Sequence, residues 1–488
     1  MSKSSANPAS RLTLTDGETG FSLDLAGLGL AVEQFSALTE RIGAAHREMQ
    51  RIEAGEIKNP DEGRRVTHFT DRLTYPTSPL FAEVEAFAAA VRAGKLRTRA
   101  GKRFKSLVVN GIGGSALGPQ LLQFALNGPY WNELRRKRRR GGLRVYFLDN
   151  TDAAGIADLL AAVDLDTALF LTISKSGGTI ETKNNLAALE QACADARIRF
   201  PEQACAITMP GSELDQLARQ AKWRKVFPMA DSIGGRTSVT SIVGHLPAAL
   251  AGIDFSSFLA GACRMDAWTR HEALFANPAY LLAAAWFIVG NGHGDRNMVI
   301  VPYADRLVLL SRYLQQLVME SLGKELDRQG RVVHQGLNVF GNKGGTDAHA
   351  FIQQLHDGRD DFFATFIEVL RDPLHLPVDG DVTMGDYLHA FQAGLAAALR
   401  AKHRPVIQLQ IRAVDPENLG MLIALYERTV ACYAELIDIN AFHQPGVQAY
   451  KKASGETIAI QRQLFAALPR QAGFAGSAAE LAAACGLA

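Results

Sequence analysis

Residues 169–182 read LFLTISKSGGTIET. The apolar start predicts a buried strand, Gly177 and Gly178 predict a tight turn, and the polar residues from Thr179 onward predict the start of a helix. A strand, a glycine-rich turn and a helix N-terminus in this order form an anion site, because unpaired backbone N–H groups and the positive end of the helix dipole meet there. Serine and threonine before a helix are also common N-caps. This stretch by itself leaves both interpretations open, a phosphate site and ordinary capping.

The same succession of strand, turn and helix recurs along the chain. Short apolar segments that end in turn residues alternate with helical segments, which predicts an α/β fold with parallel sheets and helices on both faces. The predicted strands of a first unit lie in SLVVNGIGG, LRVYFLDNTDA, TALFLTISKSGG, QACAITMPGS and RKVFPMADSIGG, and those of a second in NMVIVPYADRL, LNVFGNKGGTDAHA, DDFFATFIEVL and PVIQLQIRAV. No GxGxxG or GxxxxGK[ST] motif follows a strand, which disfavours a nucleotide-binding fold.

Helical segments flank the two α/β units. A helical pattern over residues 22–58 ends in lysine, asparagine and proline, which indicates a helix end before a linker. Two long helical patterns close the chain. We therefore expect an N-terminal helical arm over residues 1–60, a first α/β domain over 61–250, a second over 251–440 and a C-terminal helical segment over 441–488.

Composition and charge narrow the class of protein. The 488 residues are 47% hydrophobic and 21% charged with a formal net charge of +2, which is typical of a globular protein and lacks the basic excess of most nucleic-acid-binding domains. The five cysteines form no CxxC pair, so neither a disulfide framework nor a zinc site is indicated. The polar start and the lack of an apolar run of about 20 residues predict no signal peptide, no membrane partner and a cytoplasmic location.

A basic run, RRKRRR at Arg135–Arg140, is a conspicuous local charge feature. It stands between WNEL and the predicted strand in LRVYFLDN, so a solvated loop is the preferred interpretation and a nucleic-acid patch is the weaker alternative. We therefore expect no nucleic-acid partner.

Three further segments carry candidate functional side chains. Gly114 and Ser115 follow a predicted strand in NGIGGSALGP, at the sheet edge where open α/β folds bind ligands. Arg236 follows two glycines in SIGGRTSVTS and offers the planar fork of donors that suits a phosphate or an oxyanion. Glu320 ends an amphipathic helix in LVMESLGKELD, where a base would need a partly dry cleft. Each segment also has a simpler interpretation. The glycine turn could be only a tight connection, Arg236 a surface arginine and Glu320 a solvated glutamate.

Two candidates lie nearer the C-terminus. His349 follows the glycine-rich GNKGGTDA, and the spacing to His356 selects no metal site. Lys451 falls in the first turns of the helical segment GVQAYKK, where a cation opposes the helix dipole. Another charge is expected to compensate it, and an anionic substrate is one candidate.

Taken together, segments between residues 105 and 455 resemble the glucose-6-phosphate isomerase family. They are, in family order, VVNGIGGSALGP, ISKSGGTIET, GGRTSVTS, MESLGKE, GNKGGTDAHAFIQQLHDG with FFATFIEVL, and AFHQPGVQAYKK. Their joint occurrence outweighs the separate alternatives for each segment. The resemblance implies two doubly wound parallel-sheet domains of the sugar-isomerase (SIS) type, with helical N- and C-terminal extensions.

The resemblance also implies an activity and a phosphate site. The activity is the reversible conversion of glucose 6-phosphate to fructose 6-phosphate, through ring opening and a cis-enediolate, in glycolysis and gluconeogenesis. No cofactor and no metal are implied, and the enzyme would be a homodimer with shared active sites. The substrate-binding residues would be Gly114 and Ser115 on the sugar side and, around the phosphate, Ser174, the backbone of Lys175, Ser176 and Thr179.

The resemblance assigns proton transfer to separate residues. Glu320 would be the base that moves a proton between C2 and C1, and Arg236 would stabilise the negative charge that develops. His349 would open the ring, and Lys451 would assist at the ring oxygen. Histidine beside a cation suits ring opening because one proton leaves a hydroxyl while another reaches an ether oxygen.

This sequence departs from the family pattern at a few positions. Thr237 stands where the family often has an aromatic residue, and Ala348 stands where a glutamine is usual. Gly177 and Gly178 replace a bulkier pair. These changes leave open a preference for mannose 6-phosphate. A regulator that only binds a sugar phosphate is a further alternative, but it would have no use for the three proton-transfer residues together.

Overall fold

Buried apolar segments of this chain form the strands of two α/β sheets. The computed structural model describes residues 12–471 and 473–487. One compact unit ends at Phe442 and another begins at His443. The predicted α/β class with parallel sheets is confirmed.

The strands and helices alternate through most of the first unit. The strands are β1 (Thr13–Asp16), β2 (Phe21–Asp24), β3 (Ile57–Asn59), β4 (Arg64–Arg65), β5 (Ser106–Asn110), β6 (Arg144–Leu148), β7 (Ala168–Ile173), β8 (Ala204–Thr208), β9 (Lys225–Pro228), β10 (Asn297–Pro302), β11 (Lys324–Leu326), β12 (Val332–Gln335), β13 (Val339–Phe340), β14 (Phe362–Val369), β15 (Pro377–Asp379), β16 (Val382–Thr383) and β17 (Val406–Ile411). The α-helices are α1 (Val32–Ser36), α2 (Thr39–Glu53), α3 (His68–Thr74), α4 (Pro79–Ala93), α5 (Leu117–Leu122), α6 (Ala153–Ala162), α7 (Ile180–Asp195), α8 (Glu213–Gln220), α9 (Ile242–Ala251), α10 (Phe255–Trp268), α11 (Pro278–Val289), α12 (Leu310–Leu314), α13 (Ile352–Asp357), α14 (Met384–Ala401), α15 (Pro416–Leu436), α16 (Pro445–Ala467) and α17 (Ala478–Ala484). None of these described helices is both long and apolar enough to span a bilayer.

The first sheet is parallel and has the strand order β6-β5-β7-β8-β9. Every residue of β5, β7 and β8 is buried, which explains why their sequences are mainly apolar and do not alternate with exposed polar residues. Because β6 pairs with one side of β5 and β7 with the other, the strand order reverses between β5 and β7. Open α/β sheets bind ligands outside the carboxyl ends of their strands at such a point. The turns after β5 and β7 therefore lie at the expected binding edge.

The second sheet is mixed and has the order β1-β2-β17-β14-β10-β13. The strands β17, β14, β10 and β13 are parallel, whereas β2 pairs with β17 in the antiparallel sense. The helical pattern predicted from residue 22 is therefore wrong over residues 22–24, which belong to β2, and it is confirmed over α2. Phe21 and Leu23 are buried while Ser22 and Asp24 are partly exposed, the two-residue period of a strand. The predicted domain boundaries remain predictions.

Paired charges lie inside the helical core around α15, whose residues from Asn418 to Ala434 are buried. Glu427 on this helix pairs with Arg72, and both side chains are inaccessible to solvent. Arg428 Nη2 contacts Glu53 Oε1 at 2.7 Å and Asp266 Oδ1 at 2.9 Å. Because a buried charge without a partner is costly, these pairs fix how α2, α3 and α10 pack against α15.

Breaking the Arg72–Glu427 pair provides a test of this packing. Arg72→Met should lower the free energy of unfolding by about 3–5 kcal/mol, because it leaves the Glu427 carboxylate unpaired in the core. The double variant Arg72→Met with Glu427→Leu should recover most of that loss, since neither charge of this pair is then buried. Urea unfolding monitored by circular dichroism measures both changes.

Arg51→Met is the matched control. Arg51 is 61% exposed where it pairs with Glu48, so its loss should cost less than about 1 kcal/mol. A double variant as unstable as Arg72→Met alone would contradict the assignment of the penalty to an unpaired charge.

Candidate active site

Two serine side chains stabilise the turn after β7 by hydrogen bonds within the turn. Ser174 Oγ accepts a hydrogen bond from the Gly177 N–H at 3.1 Å, and Ser176 Oγ accepts one from the Gly178 N–H at 3.1 Å. Gly177 has a φ of +78°, and a Cβ there would lie 2.3 Å from the backbone nitrogen of Leu214. A glycine is therefore required at this departure from the family pattern.

The same turn presents donors that the described chain does not use. Thr179 is the N-cap residue of α7, yet its side chain makes no capping hydrogen bond. The interpretation as an ordinary N-cap is therefore wrong for Thr179. The backbone N–H groups of Lys175 and Ser176 also have no partner in the ranges that the structure describes. With the positive end of the helix dipole, these groups suit a doubly charged anion.

The side chain of Lys175 is engaged elsewhere. Lys175 Nζ donates to Glu62 Oε2 at 3.0 Å, and Arg64 Nε donates to the same oxygen at 2.6 Å. Burial and the nearby Arg64 lower the pKa of Lys175, whereas the bond to Glu62 opposes this shift. The position of the ammonium group agrees with the predicted use of the Lys175 backbone for phosphate, which remains a prediction.

A close approach of two backbones joins the turn after β5 to the segment that carries Arg236. A Cβ on Gly114 would lie 1.8 Å from the Gly235 carbonyl oxygen, and Ser238 Oγ donates to the Gly114 carbonyl at 3.2 Å. Ser115 ends the same short 3-10 turn as Gly114 and is partly exposed. Because Gly114 has no Cβ, the two backbones can pack against each other at the carboxyl end of β5.

Arg236 and Glu320 come together although they follow strands of different sheets, β9 and β10. The Arg236 side chain is 8% exposed, and its Nε lies 3.8 Å from Glu320 Oε1, on a side chain that is 21% exposed. Arg236 Nη1 also donates to Ser321 Oγ at 3.0 Å and to the Ala441 carbonyl at 2.9 Å. Burial lowers the pKa of Arg236, and the Glu320 carboxylate opposes this shift. The interpretations as a surface arginine and a solvated glutamate are therefore wrong.

Glu320 ends a π-helical turn, Gln315–Glu320, that continues α12. The sequence pattern indicated only a regular amphipathic helix, because a π turn inserts one residue without a local signature. Such turns are rare and occur frequently at functional sites. The turn gives Glu320 a side-chain direction that a regular helical count does not predict.

Sequence reasoning missed three neighbours of this pair. Lys324 Nζ donates to the carbonyls of Glu320, Ser321 and Gly323, at 3.0, 2.7 and 3.3 Å. Gln316, from the same π turn, reaches the first sheet, since a Cβ on Gly113 would lie 3.0 Å from its Nε2. Ser321 and Lys324 could have been found from their place beside Glu320 in the MESLGKE motif. No sequence signal pointed to Gln316.

His349 and Lys451 are exposed residues. Buried Asp347 shapes the turn that carries His349, by accepting hydrogen bonds from the Asn342 N–H at 2.7 Å and from Asn342 Nδ2 at 3.1 Å. Within the described residues His349 makes no hydrogen bond or ion pair with Glu320. Lys451 lies on α16, in the second compact unit. The roles of both residues remain predictions.

Comparisons with known proteins agree with one another. The family model described as phosphoglucose isomerase matches residues 31–393. The chain is 45% identical to the glucose-6-phosphate isomerase of Citrifermentans bemidjiense over 93% of this chain and 87% of that protein. It is 47% identical to that of Synechococcus elongatus over 92% of this chain and 86% of the relative. The structure resembles the crystal structure of a glucose-6-phosphate isomerase from Chlamydia trachomatis, with a TM-score of 0.82 and 26% identity over 93% of this chain and 91% of that one.

The unused hydroxyl of Thr179 allows anion binding to be separated from capping. Thr179→Ala should weaken the binding of inorganic phosphate about tenfold or more, because it removes a hydrogen bond to a charged group. It should change the free energy of unfolding by less than about 0.5 kcal/mol, since no cap is lost. Isothermal titration with phosphate and urea unfolding measure the two effects.

Ser78→Ala is the control, since Ser78 caps α4 by accepting a hydrogen bond from the Phe81 N–H at 3.1 Å. Its loss should cost about 1 kcal/mol of stability and leave phosphate affinity unchanged. A Thr179→Ala variant that loses stability like Ser78→Ala and binds phosphate normally would contradict the anion site.

Proposed function

The chain belongs to the phosphoglucose isomerase family and interconverts glucose 6-phosphate and fructose 6-phosphate, and we propose that it does so with Glu320 as the base and Arg236 as the cation beside it. The observation that carries this proposal is the 3.8 Å separation of Arg236 Nε and Glu320 Oε1 in a largely buried setting. A proton acceptor and a fixed positive charge in one place are what proton transfer through an enediolate needs.

Glu320 transfers a proton between adjacent carbons of the open-chain sugar. It takes the proton from C2 of glucose 6-phosphate, and the electron pair of that C–H bond forms the double bond of the enediolate while the C1 carbonyl oxygen becomes negative. The proton of the C2 hydroxyl moves to the C1 oxygen. The same carboxyl group then returns its proton to C1 while the C2 oxygen becomes the carbonyl, which gives fructose 6-phosphate. A positioned base contributes about 10²–10⁴-fold in rate.

Arg236 stabilises the enediolate oxygen. Its guanidinium is already held by the Ser321 hydroxyl and the Ala441 carbonyl, so it does not have to reorganise when the charge develops. A preorganised donor of this kind contributes about 10²–10³-fold.

The phosphate binds at the turn after β7. The hydroxyl oxygens of Ser174 and Ser176 accept hydrogen bonds inside the turn, which leaves their hydrogens to donate to phosphate oxygens. Thr179 and the Lys175 N–H add donors that the described chain leaves unused. Gly114 and Ser115 line the sugar at the point where the strand order of the first sheet reverses.

Ring opening precedes the transfer by Glu320. A proton leaves the C1 hydroxyl and another reaches the ring oxygen as the bond between C1 and that oxygen breaks. The family resemblance supports His349 for this exchange and Lys451 for assistance at the ring oxygen. An imidazole is suited to the exchange because its charge changes near neutral pH.

We further propose a cytoplasmic homodimer in which His349 serves the site of the partner subunit. His349 is exposed and, in the part of the chain that the structure describes, makes no hydrogen bond or ion pair with Glu320, which supports this arrangement. Large apolar side chains are exposed on and around β15, β16 and the start of α14, as expected of an interface: Leu370, Leu374, Leu376, Val378, Val382, Met384, Tyr387 and Phe391. The five free cysteines fit a reducing compartment.

Glu320→Gln tests the base. The variant should lose about 10²–10⁴-fold in kcat with little change in KM, because the amide keeps the shape of the side chain but cannot accept the proton. Fructose 6-phosphate incubated in D₂O and followed by proton NMR measures turnover, since the wild type forms glucose 6-phosphate with deuterium at C2. Deuterated mannose 6-phosphate would reveal a broader specificity.

The control for this experiment is Glu325→Gln, at an exposed glutamate on β11, which should retain wild-type kcat. A Glu320→Gln variant with normal turnover would exclude Glu320 as the base. Absence of any new sugar with the wild-type protein, while fructose 6-phosphate still binds, would favour a regulator.

Mixed dimers test the shared site. Glu320→Gln and His349→Ala chains, each nearly inactive alone, should regain activity when co-expressed with different tags and purified as heterodimers. One of the two sites then combines an intact Glu320 with His349 of the partner subunit, so about half of the wild-type kcat per dimer is expected. Heterodimers as inactive as the parents would show that each site draws both residues from one chain.

A further inference from the structure

Two cations hold the residue that follows the proposed base. Arg236 Nη1 donates to the Ser321 hydroxyl at 3.0 Å, and Lys324 Nζ donates to the Ser321 carbonyl at 2.7 Å. Lys324 also donates to the carbonyl of Glu320 at 3.0 Å. The end of the π-helical turn is therefore fixed through both a side chain and the backbone.

The environment of Lys324 is unusual for a lysine. The residue is 5% exposed, and across the described residues its ammonium bonds to backbone carbonyls and to no carboxylate. Burial of an ammonium is costly unless its hydrogen bonds are satisfied, and a lysine that only ended a helix would keep its head group in water. Three carbonyl acceptors at the negative end of a helix compensate the charge in part.

The backbone that Lys324 binds is the backbone that carries Glu320. A π turn aligns its last carbonyls poorly for bonds within the helix, so the end needs partners from outside. Lys324 supplies them from the start of β11, which follows directly. Without these bonds the Glu320 backbone could shift, and a misplacement of about 1 Å can cost roughly 100-fold in rate.

We propose that Lys324 is a positioning residue for the isomerisation, which holds the backbone of Glu320 and Ser321 so that the Glu320 carboxylate stays beside Arg236. This inference rests on the proposed role of Glu320 as the base. Lys324 itself bonds to backbone carbonyls and not to the substrate.

Three charged groups act on Lys324. Arg236 faces it from its 3-10 turn, Glu320 from the preceding helix end, and Asp61 from the turn after β3. Burial and Arg236 lower the pKa of Lys324 to about 7, whereas Glu320 and Asp61 act in the opposite direction. As the pH rises through this value, Lys324 loses its charge and keeps two N–H donors for three carbonyls. The hydrogen bonds from Lys324 that hold the backbone of Glu320 are thus complete below this pH and weaker above it.

Lys324→Met tests the inference against Lys102→Met. The first variant should lose about 10–100-fold in kcat with KM nearly unchanged, because the phosphate turn is untouched. Lys102 is half exposed and bonds to Asp166 at 2.7 Å, so its replacement should leave kcat at the wild-type value. Both are assayed with fructose 6-phosphate per folded molecule, with folding measured by circular dichroism.

The dependence of kcat/KM on pH separates positioning from a general loss of structure. The wild type should lose activity as the pH rises through about 7, and Lys324→Met should lack this decline. Lys324→Arg keeps its charge over that range, so it should retain more kcat than Lys324→Met and move the decline to higher pH. If Lys324→Met does not fold, the profile of Lys324→Arg decides the question.

Several results would overturn the inference. They are wild-type kcat in Lys324→Met, a change confined to KM, and an unaltered decline with pH in either variant. A wild-type protein that fails to isomerise the sugar phosphate would instead remove the proposed function on which the inference rests.

Discussion

The contact between the Gly114 and Gly235 backbones is the constraint on which the candidate site depends. A Cβ on Gly114 would lie 1.8 Å from the Gly235 carbonyl oxygen, so no other residue fits without moving one of the two turns. Protein interiors are close packed and transmit such displacements. The contact therefore ties the carboxyl end of β5 to the segment that aims Arg236 at Glu320.

The site combines buried charges with neutral partners. Arg236 bonds to the Ser321 hydroxyl and to the Ala441 carbonyl, and Lys324 bonds to carbonyls at the end of the π turn. Burial of these cations costs stability. The same arrangement holds positive charge in place before any charge develops on a substrate, which is the condition under which electrostatic stabilisation is most effective.

Local patterns predicted most of the regular structure. The strands β5 to β10, β14 and β17 were predicted because each is an apolar run between turn residues, and long helices such as α15 have clear helical periodicity. The N-terminal hairpin was missed, because β1 and β2 are only four residues long each and the predicted helical pattern already began inside β2. The strands β11, β12, β15 and β16 are two to four residues long, which is too short for a recognisable periodicity. The π turn at Glu320 has no sequence pattern of its own.

The sequence by itself determined the α/β class, and it indicated a candidate anion site in the turn after β7 together with the other candidate residues, because propensity and turn chemistry act over a few neighbouring positions. Only the tertiary structure decided which candidates meet. Arg236 and Ser321 bond although they stand 85 positions apart, and no local pattern encodes that distance. The structure also showed that Thr179 does not cap its helix and that Gly114 is required for packing. Such contacts depend on how two sheets and their helices pack, which is a property of the whole chain.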